Sequence, residues 1–341
     1  MQGAVRFRCS PLACLGALAL LVAAAGCRAD DGFPRGPTST STGTSSGGGG
    51  SGGGGGNGGG GETAPGEPLT VVTWNARNYF DDLNNSDAPN ETVLSTSAYQ
   101  QKRAAVGAVL RDLDADVVIL QEVENLGVLK TLDEAELGGA YPHAALIEAF
   151  DPRGIDIGAL SKVPFDGVVS HLGETFTKEG TNGPVYQYAR DALELHLTRN
   201  GRHVVLIGVH FRSKSQDDPD KRLAEAQHTR AIADGIAAAD PTAAIAILGD
   251  FNDLPGSPPV LAVEGSGSGA DAYDDVPALA PASDRWTFNY NGALELVDHH
   301  LVNPVLRAML DEASVRIPHG PDIDAASDHA PIEATYSITA P

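Results

Sequence analysis

A glycine tract divides this chain and confines any folded core to its C-terminal part. In residues 47–61, 13 of the 15 positions are glycine, and a stretch rich in serine and threonine precedes them. Such a segment holds too little apolar surface to offset the entropy lost when it is ordered. We therefore predict that residues 27–68 are a flexible tether, which spans roughly 35 Å as a coil, and that residues 69–341 form a folded domain.

The N-terminal segment has the organisation of a secretory signal peptide. Arg6 and Arg8 form a basic region, residues 12–25 are apolar, and three small residues come directly before Cys27. The apolar run is shorter than the ~20 residues that cross a bilayer. Residues 1–26 are therefore predicted to be a signal peptide. Cys27 resembles the acylated cysteine of bacterial lipoproteins; a plain signal peptide with an incidental cysteine is the alternative.

Composition limits the compartment and the partners. All three cysteines lie in the leader or at its end, so the domain has neither a disulfide nor a thiolate metal site. The formal net charge of −22 has the wrong sign for non-specific binding to nucleic acid. Bound divalent cations would reverse that sign locally, and the alternative is an acidic surface that serves solubility. A lipidated Cys27 would hold an exported protein on a membrane of the cell envelope or cell surface; an extracellular protein is the other interpretation. No protein partner is predicted.

Strand and helix patterns alternate along the domain. This order predicts an α/β protein whose sheets pack together with helices outside. Helices are predicted at 98–113, 125–137 and 221–239, and strands at 69–74, 116–120, 144–147, 155–161, 186–197, 203–209, 243–248, 286–289, 295–302 and 330–338.

Polar residues follow the predicted strands at five places. Taken singly, each has an ordinary explanation as a helix cap, a turn residue or a satisfied strand-end histidine. Taken together, they supply the carboxylates, amides and imidazoles needed to hydrolyse a phosphate ester with a divalent metal. The five groups are Asn75, Gln121 with Glu122, His210, Asp250 with Asn252, and Asp328 with His329, and Asp298 lies near the last of these strands.

These stretches resemble the endonuclease/exonuclease/phosphatase superfamily, whose fold is that of pancreatic deoxyribonuclease. They cover nearly all of residues 69–338 in the expected order, and secreted bacterial nucleases of this superfamily are the most similar group. The matching stretches are Thr-Trp-Asn at 73–75, Leu-Gln-Glu-Val-Glu-Asn at 120–125, Arg-Gly-Ile-Asp-Ile-Gly at 153–158, Ala-Arg-Asp at 189–191, His-Phe-Arg-Ser-Lys at 210–214, Leu-Gly-Asp-Phe-Asn-Asp at 248–253, Leu-Val-Asp-His at 296–299 and Ser-Asp-His-Ala-Pro at 327–331.

The resemblance implies a fold and a metal site. The fold is a four-layer α/β sandwich, in which two packed mixed β-sheets are flanked by helices. Glu122 would bind a divalent cation, Mg²⁺ or Mn²⁺ with Ca²⁺ as a further choice, and Asn75 and Asp328 would assist. Carboxylate and amide oxygens are suitable ligands for such hard cations.

The resemblance also implies catalytic roles. Asp250 would orient or deprotonate the attacking water, and Asn252 would fix that water or a phosphate oxygen. His329, oriented by Asp298, would donate hydrogen bonds to the phosphoryl oxygens as their charge grows. His210 would do similar work from the other side.

Further residues would contact the phosphate. Arg190 would clamp a non-bridging oxygen, and Asn75 would lie at the phosphate as well as at the metal. Arg153 and Asp156 match a recurrent stretch of the superfamily but receive no role.

Two surfaces admit two interpretations each. Four basic residues around the His210 loop form a strip for a polyanion, or a solvated loop whose charge three nearby aspartates cancel. Three alternating aromatic residues offer a stacking surface, or they belong to the core. The basic residues are Arg212, Lys214, Lys221 and Arg222, the aspartates are Asp217, Asp218 and Asp220, and the aromatic residues are Trp286, Phe288 and Tyr290.

Three functions are compatible with these residues. The first is an exported, lipid-tethered nuclease that hydrolyses DNA or RNA. The second is a phosphodiesterase or phosphatase that acts on a lipid headgroup or another small phosphoester, although no exposed apolar hairpin for engaging lipid is evident in the sequence. The third is a non-catalytic binding module, which the intact set of reactive residues disfavours.

Overall fold

The computed structural model describes residues 66–85, 88–265 and 272–341. Contacts divide the chain into two units, and all of these residues lie in the unit Gly61–Pro341. The predicted signal peptide, Cys27 and nearly all of the predicted tether therefore lie outside the described residues. The first strand begins at Glu67, two residues before the predicted start of the domain.

Strands predominate in the described residues. The helices are α1 (Thr96–Leu113), α2 (Leu126–Leu132), α3 (Pro219–Ala239), α4 (Pro258–Glu264), α5 (Pro304–Arg307) and α6 (Pro321–Ala326). The strands are β1 (Glu67–Tyr79), β2 (Val117–Val123), β3 (His143–Leu146), β4 (Asp156–Ser161), β5 (Gly167–Val169), β6 (Leu193–Arg199), β7 (Arg202–His210), β8 (Ala244–Asp250), β9 (Asp274–Asp275), β10 (Phe288–Tyr290), β11 (Ala293–Glu295), β12 (Asp298–Val302), β13 (Leu310–Arg316) and β14 (Ile332–Ile338).

Two six-stranded sheets pack face to face between two layers of helices. The first sheet has the order β13-β14-β1-β2-β4-β3 and the second β5-β6-β7-β8-β12-β9. Alternating side chains of each strand explain the layers. Val71 of β1 lies in the core between the sheets, whereas its neighbour Val72 packs with residues of α1 and α2. A third cluster joins β7 and β8 to α3 and α4. The predicted four-layer α/β sandwich is confirmed.

The directions of the central strands bring the polar strand ends to one rim. The strand pair β1 and β2 is parallel, as is the pair β7 and β8, so the C-terminal ends of each pair point the same way. Their outer neighbours are antiparallel and begin at this rim. Asp298, the first residue of β12, therefore lies opposite Asp250, the last residue of β8.

A glycine allows β7 and β8 to approach closely beside Asp250. Gly249 has a φ of +143°, and a Cβ added to it would lie 1.9 Å from the carbonyl oxygen of Val209. No other residue fits there without moving the backbone. The glycine of the Gly-Asp-Phe-Asn run is thus required by backbone packing, and it fixes the position of the carboxylate that follows.

Several boundaries differ from the sequence prediction. Only the last part of the strand predicted at 186–197 is a strand, and the strand predicted at 295–302 is two, β11 and β12. The predicted helix at 125–137 ends as a π-helical turn, Asp133–Leu137. The edge strand β13 was not predicted, because four of its seven residues are exposed and the strand shows little apolar alternation. In the part of the chain that the structure describes, no helix has the length and hydropathy needed to cross a membrane.

Candidate active site

A buried carboxylate joins the two sheets at the rim. Asp250 is 2% exposed, and its Oδ2 accepts a hydrogen bond of 3.0 Å from Nδ2 of Asn75, which comes from the opposite sheet. Its Oδ1 accepts the backbone N–H of Asn252 at 2.8 Å. Burial and the neighbouring Asp298 carboxylate raise the pKa of Asp250, while His329 opposes them. A carboxylate in such surroundings is suited to receive a proton near neutral pH.

Asp298 and His329 form a buried acid–imidazole pair. Nδ1 of His329 lies 2.8 Å from Oδ2 of Asp298, which leaves Nε2 of the imidazole for another group. Burial alone would lower the pKa of His329, but the Asp298 carboxylate raises it above its usual range. The imidazole therefore carries a positive charge. Ser327 fixes the backbone here, because its Oγ donates to the carbonyl of Asn75 at 2.7 Å and accepts the N–H of His329 at 3.1 Å.

His210 lies on the other side of Asp250. Its Nε2 is 3.4 Å from Oδ2 of Asp250, and its buried Nδ1 has no hydrogen-bond partner. Burial, together with the charges of Arg190 and His329, keeps the pKa of His210 well below its usual range. This histidine is therefore neutral. It can donate or accept one proton, depending on its tautomer.

Two arginines share a buried aspartate that the sequence analysis did not single out. Oδ2 of Asp151 lies 2.8 Å from Nη2 of Arg190, and Oδ1 lies 3.5 Å from Nε of Arg153. Nη1 of Arg190 also donates to the carbonyl of Phe211, at 3.4 Å. Asp151 thus orients both guanidinium groups. The Asp-Pro-Arg sequence of this loop does not indicate a role for Asp151, because Arg190 is distant in the sequence and meets Asp151 only in the folded protein.

The predicted metal ligands Glu122 and Asp328 each lie near a basic side chain. Glu122 accepts the N–H of Asn78 at 2.8 Å and lies 4.0 Å from Arg153. Asp328 lies 3.3 Å from Arg77. Burial and Arg77 lower the pKa of Lys102 to about 8, while Asp328 and Glu122 oppose this shift. Both carboxylates therefore lie near enough to Lys102 for their charges to act on it.

The donor groups fit a hard divalent cation. Asp250, Asp298 and His329 each offer one ligand atom, and these atoms lie within 4.8 Å of one another. The buried Oδ1 of Asp298 has no hydrogen-bond partner. Glu122 offers a further carboxylate at the same rim, and its side chain is 13% exposed. The carboxylate oxygens of Asp250, Asp298 and Glu122 suit Mg²⁺, Mn²⁺ or Ca²⁺ better than softer metals. His329 would have to lose its proton before its nitrogen could bind an ion.

Three of the four basic residues around the His210 loop form ion pairs, whereas Arg212 donates to the carbonyl of Gln216. Arg222 is bonded to Asp253 at 2.9 Å and to Asp217 at 2.6 Å, and Lys214 lies 2.9 Å from Asp253. Lys221 lies 3.7 Å from the buried Glu225. These pairs weaken the interpretation as a positive strip for a polyanion. The charge-cancelling alternative holds only in part: of its three aspartates, Asp217 alone pairs with one of these basic residues, and Asp220 pairs with Lys178 instead.

A hairpin at the rim corrects a second expectation. Strands β10 and β11 pair with each other and stand apart from both sheets, with Tyr290 60% and Leu294 55% exposed. The hairpin is therefore apolar and exposed, contrary to what the sequence suggested. Phe288 contacts His329, with ring centroids 4.8 Å apart. Trp286 instead stacks on His319 at 3.8 Å.

Asp156 has a structural position. It is buried at the start of β4, and its Oδ1 accepts the N–H of Ala149 at 2.8 Å. Burial raises the pKa of Asp156 to about 7. This hydrogen bond holds the loop that carries Asp151. Asp156 therefore supports the two arginines indirectly, through Asp151.

The fold and this rim define a hydrolase of phosphoric esters that depends on a divalent metal. The chain belongs to the endonuclease/exonuclease/phosphatase family, whose model matches residues 70–316. The resemblance seen in the sequence is confirmed, and so is the assignment as an enzyme. No curated protein sequence matches the chain.

Solved structures share the fold at low sequence identity. The human Nocturnin catalytic domain with a bound sulfate anion is 14% identical with a TM-score of 0.58, over 80% of this chain and 95% of its own. An endonuclease/exonuclease/phosphatase protein from Bacteroides vulgatus is 17% identical, with a TM-score of 0.54, over 80% and 99%. TDP2 of D. rerio, complexed with a single-strand DNA product, is 18% identical with a TM-score of 0.53, over 79% and 98%.

The Asp151 pairing predicts a loss of phosphate binding when its charge is removed. In Asp151→Asn, both arginines lose their anionic partner, and we expect the inhibition constant of inorganic phosphate to rise at least about ten-fold. Breaking a buried ion pair also costs roughly 3–5 kcal/mol of stability. Asp133→Asn is the matched control, since Asp133 and Asp151 are both 7% exposed. An unchanged inhibition constant in Asp151→Asn would show that the arginines do not contact phosphate.

Proposed function

We propose that this protein is an exported, metal-dependent nuclease that hydrolyses phosphodiester bonds of DNA, and of RNA where the strand is accessible. The observation that carries this proposal is the aromatic hairpin beside the acid–imidazole pair. Phe288 lies against His329, and Tyr290 stacks on Phe288 with ring centroids 6.2 Å apart. Aromatic rings next to a phosphate site suit nucleobases, which stack on them with little regard to sequence.

The proposed metal ligands are Glu122, Asp328 and Asn75. When bound, a Mg²⁺ or Mn²⁺ ion would neutralise phosphate charge and act as a Lewis acid. Arg153 and Arg77, the present partners of the two carboxylates, are 44% and 56% exposed in their side chains and can turn outward. The Asp250, Asp298 and His329 group is instead already balanced by the charged imidazole, which favours a proton-handling role for it.

The proposed chemistry uses the buried groups. Asp250 orients the attacking water and receives its proton, because burial raises the pKa of this carboxyl group. His329, charged and held by Asp298, donates from Nε2 to a phosphoryl oxygen as negative charge develops there. Asn252 and the neutral His210 hold water or phosphate oxygen beside Asp250.

Arg190 supplies a fixed positive charge to the phosphate. Its guanidinium is almost fully buried, and the buried Nε has no hydrogen-bond partner. A phosphoryl oxygen would provide one. The structural likeness to TDP2 complexed with a single-strand DNA product supports a strand of nucleic acid as the substrate.

A second candidate is hydrolysis of a lipid headgroup. The exposed Tyr290 and Leu294 favour it, since amphipathic aromatic side chains also insert into membrane interfaces. A lipid-anchored tether would place the domain near such a substrate. The same hairpin is therefore compatible with either function, and an assay of the two substrates distinguishes them.

A substrate panel tests the proposal. The purified protein is assayed with plasmid DNA, RNA, sphingomyelin vesicles and a chromogenic phosphodiester, each with Mg²⁺, Mn²⁺ or EDTA, and His329→Ala is the inactive control. We expect EDTA-sensitive cleavage of DNA. Activity confined to the vesicles would support the lipid candidate and contradict the nuclease.

Within this panel, Tyr290→Ala is expected to raise the KM for DNA about ten-fold, the effect of one lost stacking contact, and to leave the rate on the chromogenic diester unchanged. Leu261→Ala, a substitution at an exposed apolar residue of α4, is the control.

The metal assignment predicts opposite effects for two isosteric substitutions. Glu122→Gln should raise the Kd for Mn²⁺ at least about ten-fold, because it removes a carboxylate ligand. Asp298→Asn should leave that Kd within about two-fold while lowering kcat by roughly 10²–10⁴-fold, because His329 loses its orientation and charge. Electron paramagnetic resonance of free Mn²⁺ measures the Kd directly. The reverse pattern would place the ion on Asp250, Asp298 and His329.

Export and lipidation are part of the proposal, and they rest on residues 1–27. Processing at Cys27 should stop when cells are treated with globomycin, which inhibits the lipoprotein signal peptidase. Processing that continues under the drug would leave a plain signal peptide as the explanation.

A further inference from the structure

A second group of oxygen donors lies outside the site described above. It is formed where the loop after β1 meets the end of β2. Its members are the carboxylates of Asp81, Glu91 and Glu124 and the amides of Asn85 and Asn125. The proposed catalysis uses none of them.

The carboxylates are held close together by the backbone of the loop. The N–H of Asp81 donates to Oε2 of Glu124 at 2.6 Å, and the N–H of Asn85 donates to Oε1 of Glu91 at 2.9 Å. The charged groups that act on the Glu124 carboxylate are Asp81 and Glu91. Three acidic side chains therefore meet at one place.

The two amides bind these groups only loosely. Nδ2 of Asn85 lies 3.3 Å from Oδ2 of Asp81, and Nδ2 of Asn125 lies 3.5 Å from the same oxygen. Nδ2 of Asn125 is also 3.3 Å from Oδ1 of Asn85. These distances exceed the 2.7–3.2 Å range of good N–H···O bonds. Oδ2 of Asp81 and Oδ1 of Asn85 therefore have only weak donors, whereas Oδ1 of Asp81 accepts the N–H of Leu83 at 2.6 Å.

Glu124 carries an orphaned oxygen in this cluster. The residue is 1% exposed, and its buried Oε1 has no hydrogen-bond partner. Among the described residues, neither Glu124 nor Asp81 forms an ion pair with a lysine, arginine or histidine. A buried carboxylate with one unsatisfied oxygen and no counter-charge is unfavourable. A cation would satisfy the orphaned oxygen and neutralise its neighbours.

We propose that Asp81, Glu91, Glu124 and Asn85 bind a calcium ion. All of these donors are oxygens, and three of the residues come from the irregular loop between β1 and α1. Ca²⁺ accepts six to eight oxygen ligands in flexible geometry, whereas Mg²⁺ requires a near-ideal octahedron. Three carboxylates supply more than the two negative charges that a divalent ion needs, with water or backbone oxygens completing the shell.

The calcium ion has a defined structural consequence. Glu124 lies two residues after Glu122, and its N–H donates to the carbonyl of Tyr79 at 3.1 Å. Glu122 in turn accepts the N–H of Asn78. The ion would therefore fasten the loop after β1 to the end of β2, directly beside the strand positions that hold the proposed catalytic metal. Calcium binding at this site would be the same for any phosphoester substrate.

Thermal unfolding tests the proposal on the full-length protein. Calcium at about 100 times its Kd should raise the Tm of the wild-type protein by about 5 °C. Glu124→Gln should abolish this shift. Glu122→Gln, the same substitution two residues away on β2, should keep it. A calcium shift of unchanged size in Glu124→Gln, or no shift in the wild-type protein, would overturn the proposal. An equal shift with Mg²⁺ in Glu122→Gln, which lacks a ligand of the proposed catalytic site, would overturn the choice of calcium.

Terbium luminescence gives an independent readout if Glu124→Gln folds poorly. Tyr79 and Tyr99, with ring centroids 6.5 Å apart, lie beside the site and would sensitise a bound Tb³⁺ ion. We expect sensitised emission in both wild type and Glu122→Gln, and we expect calcium to abolish it by displacing Tb³⁺. In Asn85→Ala, the Kd for Tb³⁺ should rise at least about ten-fold. An unchanged Kd in Asn85→Ala would contradict the site.

Discussion

The placement of the Asp250 carboxylate between two sheets governs the rest of the site. An acidic group that is 2% exposed must be satisfied from every side, and here the donors come from separate parts of the chain. Asn75 reaches it from the first sheet, the Asn252 backbone from its own loop, and His210 from β7. Because Gly249 fixes the backbone just before it, the carboxylate cannot move away. The hydrogen bond from Asn75 therefore joins the two sheets and also holds the Asp250 carboxylate in position.

The charge arrangement explains how an acidic protein can hold a phosphate. Most of the basic residues around the His210 loop are bonded to aspartate or glutamate and present little free positive charge. Two positive groups at the rim are buried and fixed: the charged His329, held by Asp298, and Arg190, held by Asp151. A divalent ion adds the remaining charge. Affinity for substrate should therefore come from the pocket itself, and the outer surface should contribute little to it.

Much of the fold and of the candidate site was predictable, because both depend on local patterns. The buried strands are short apolar runs, and parallel pairing carries Asn75, Glu122, His210 and Asp250 to one rim once the sheets form. The role of Asp151 was not predictable, since it arises from a contact with Arg190, which is distant in the sequence. The hairpin was missed because alternating aromatic residues read as a core strand, whereas β10 and β11 pair only with each other among the described strands.

The central claim is that these strand ends share one cavity that holds a metal ion and a phosphate. A crystal structure of the protein with Mn²⁺ and inorganic phosphate tests it most directly. The account predicts Mn²⁺ at Glu122 and a phosphate that touches both His329 and Arg190, with Asp250 facing the phosphorus atom. A structure in which the ion and the phosphate bind away from these side chains, or in which the side chains contact no common ligand, would contradict it.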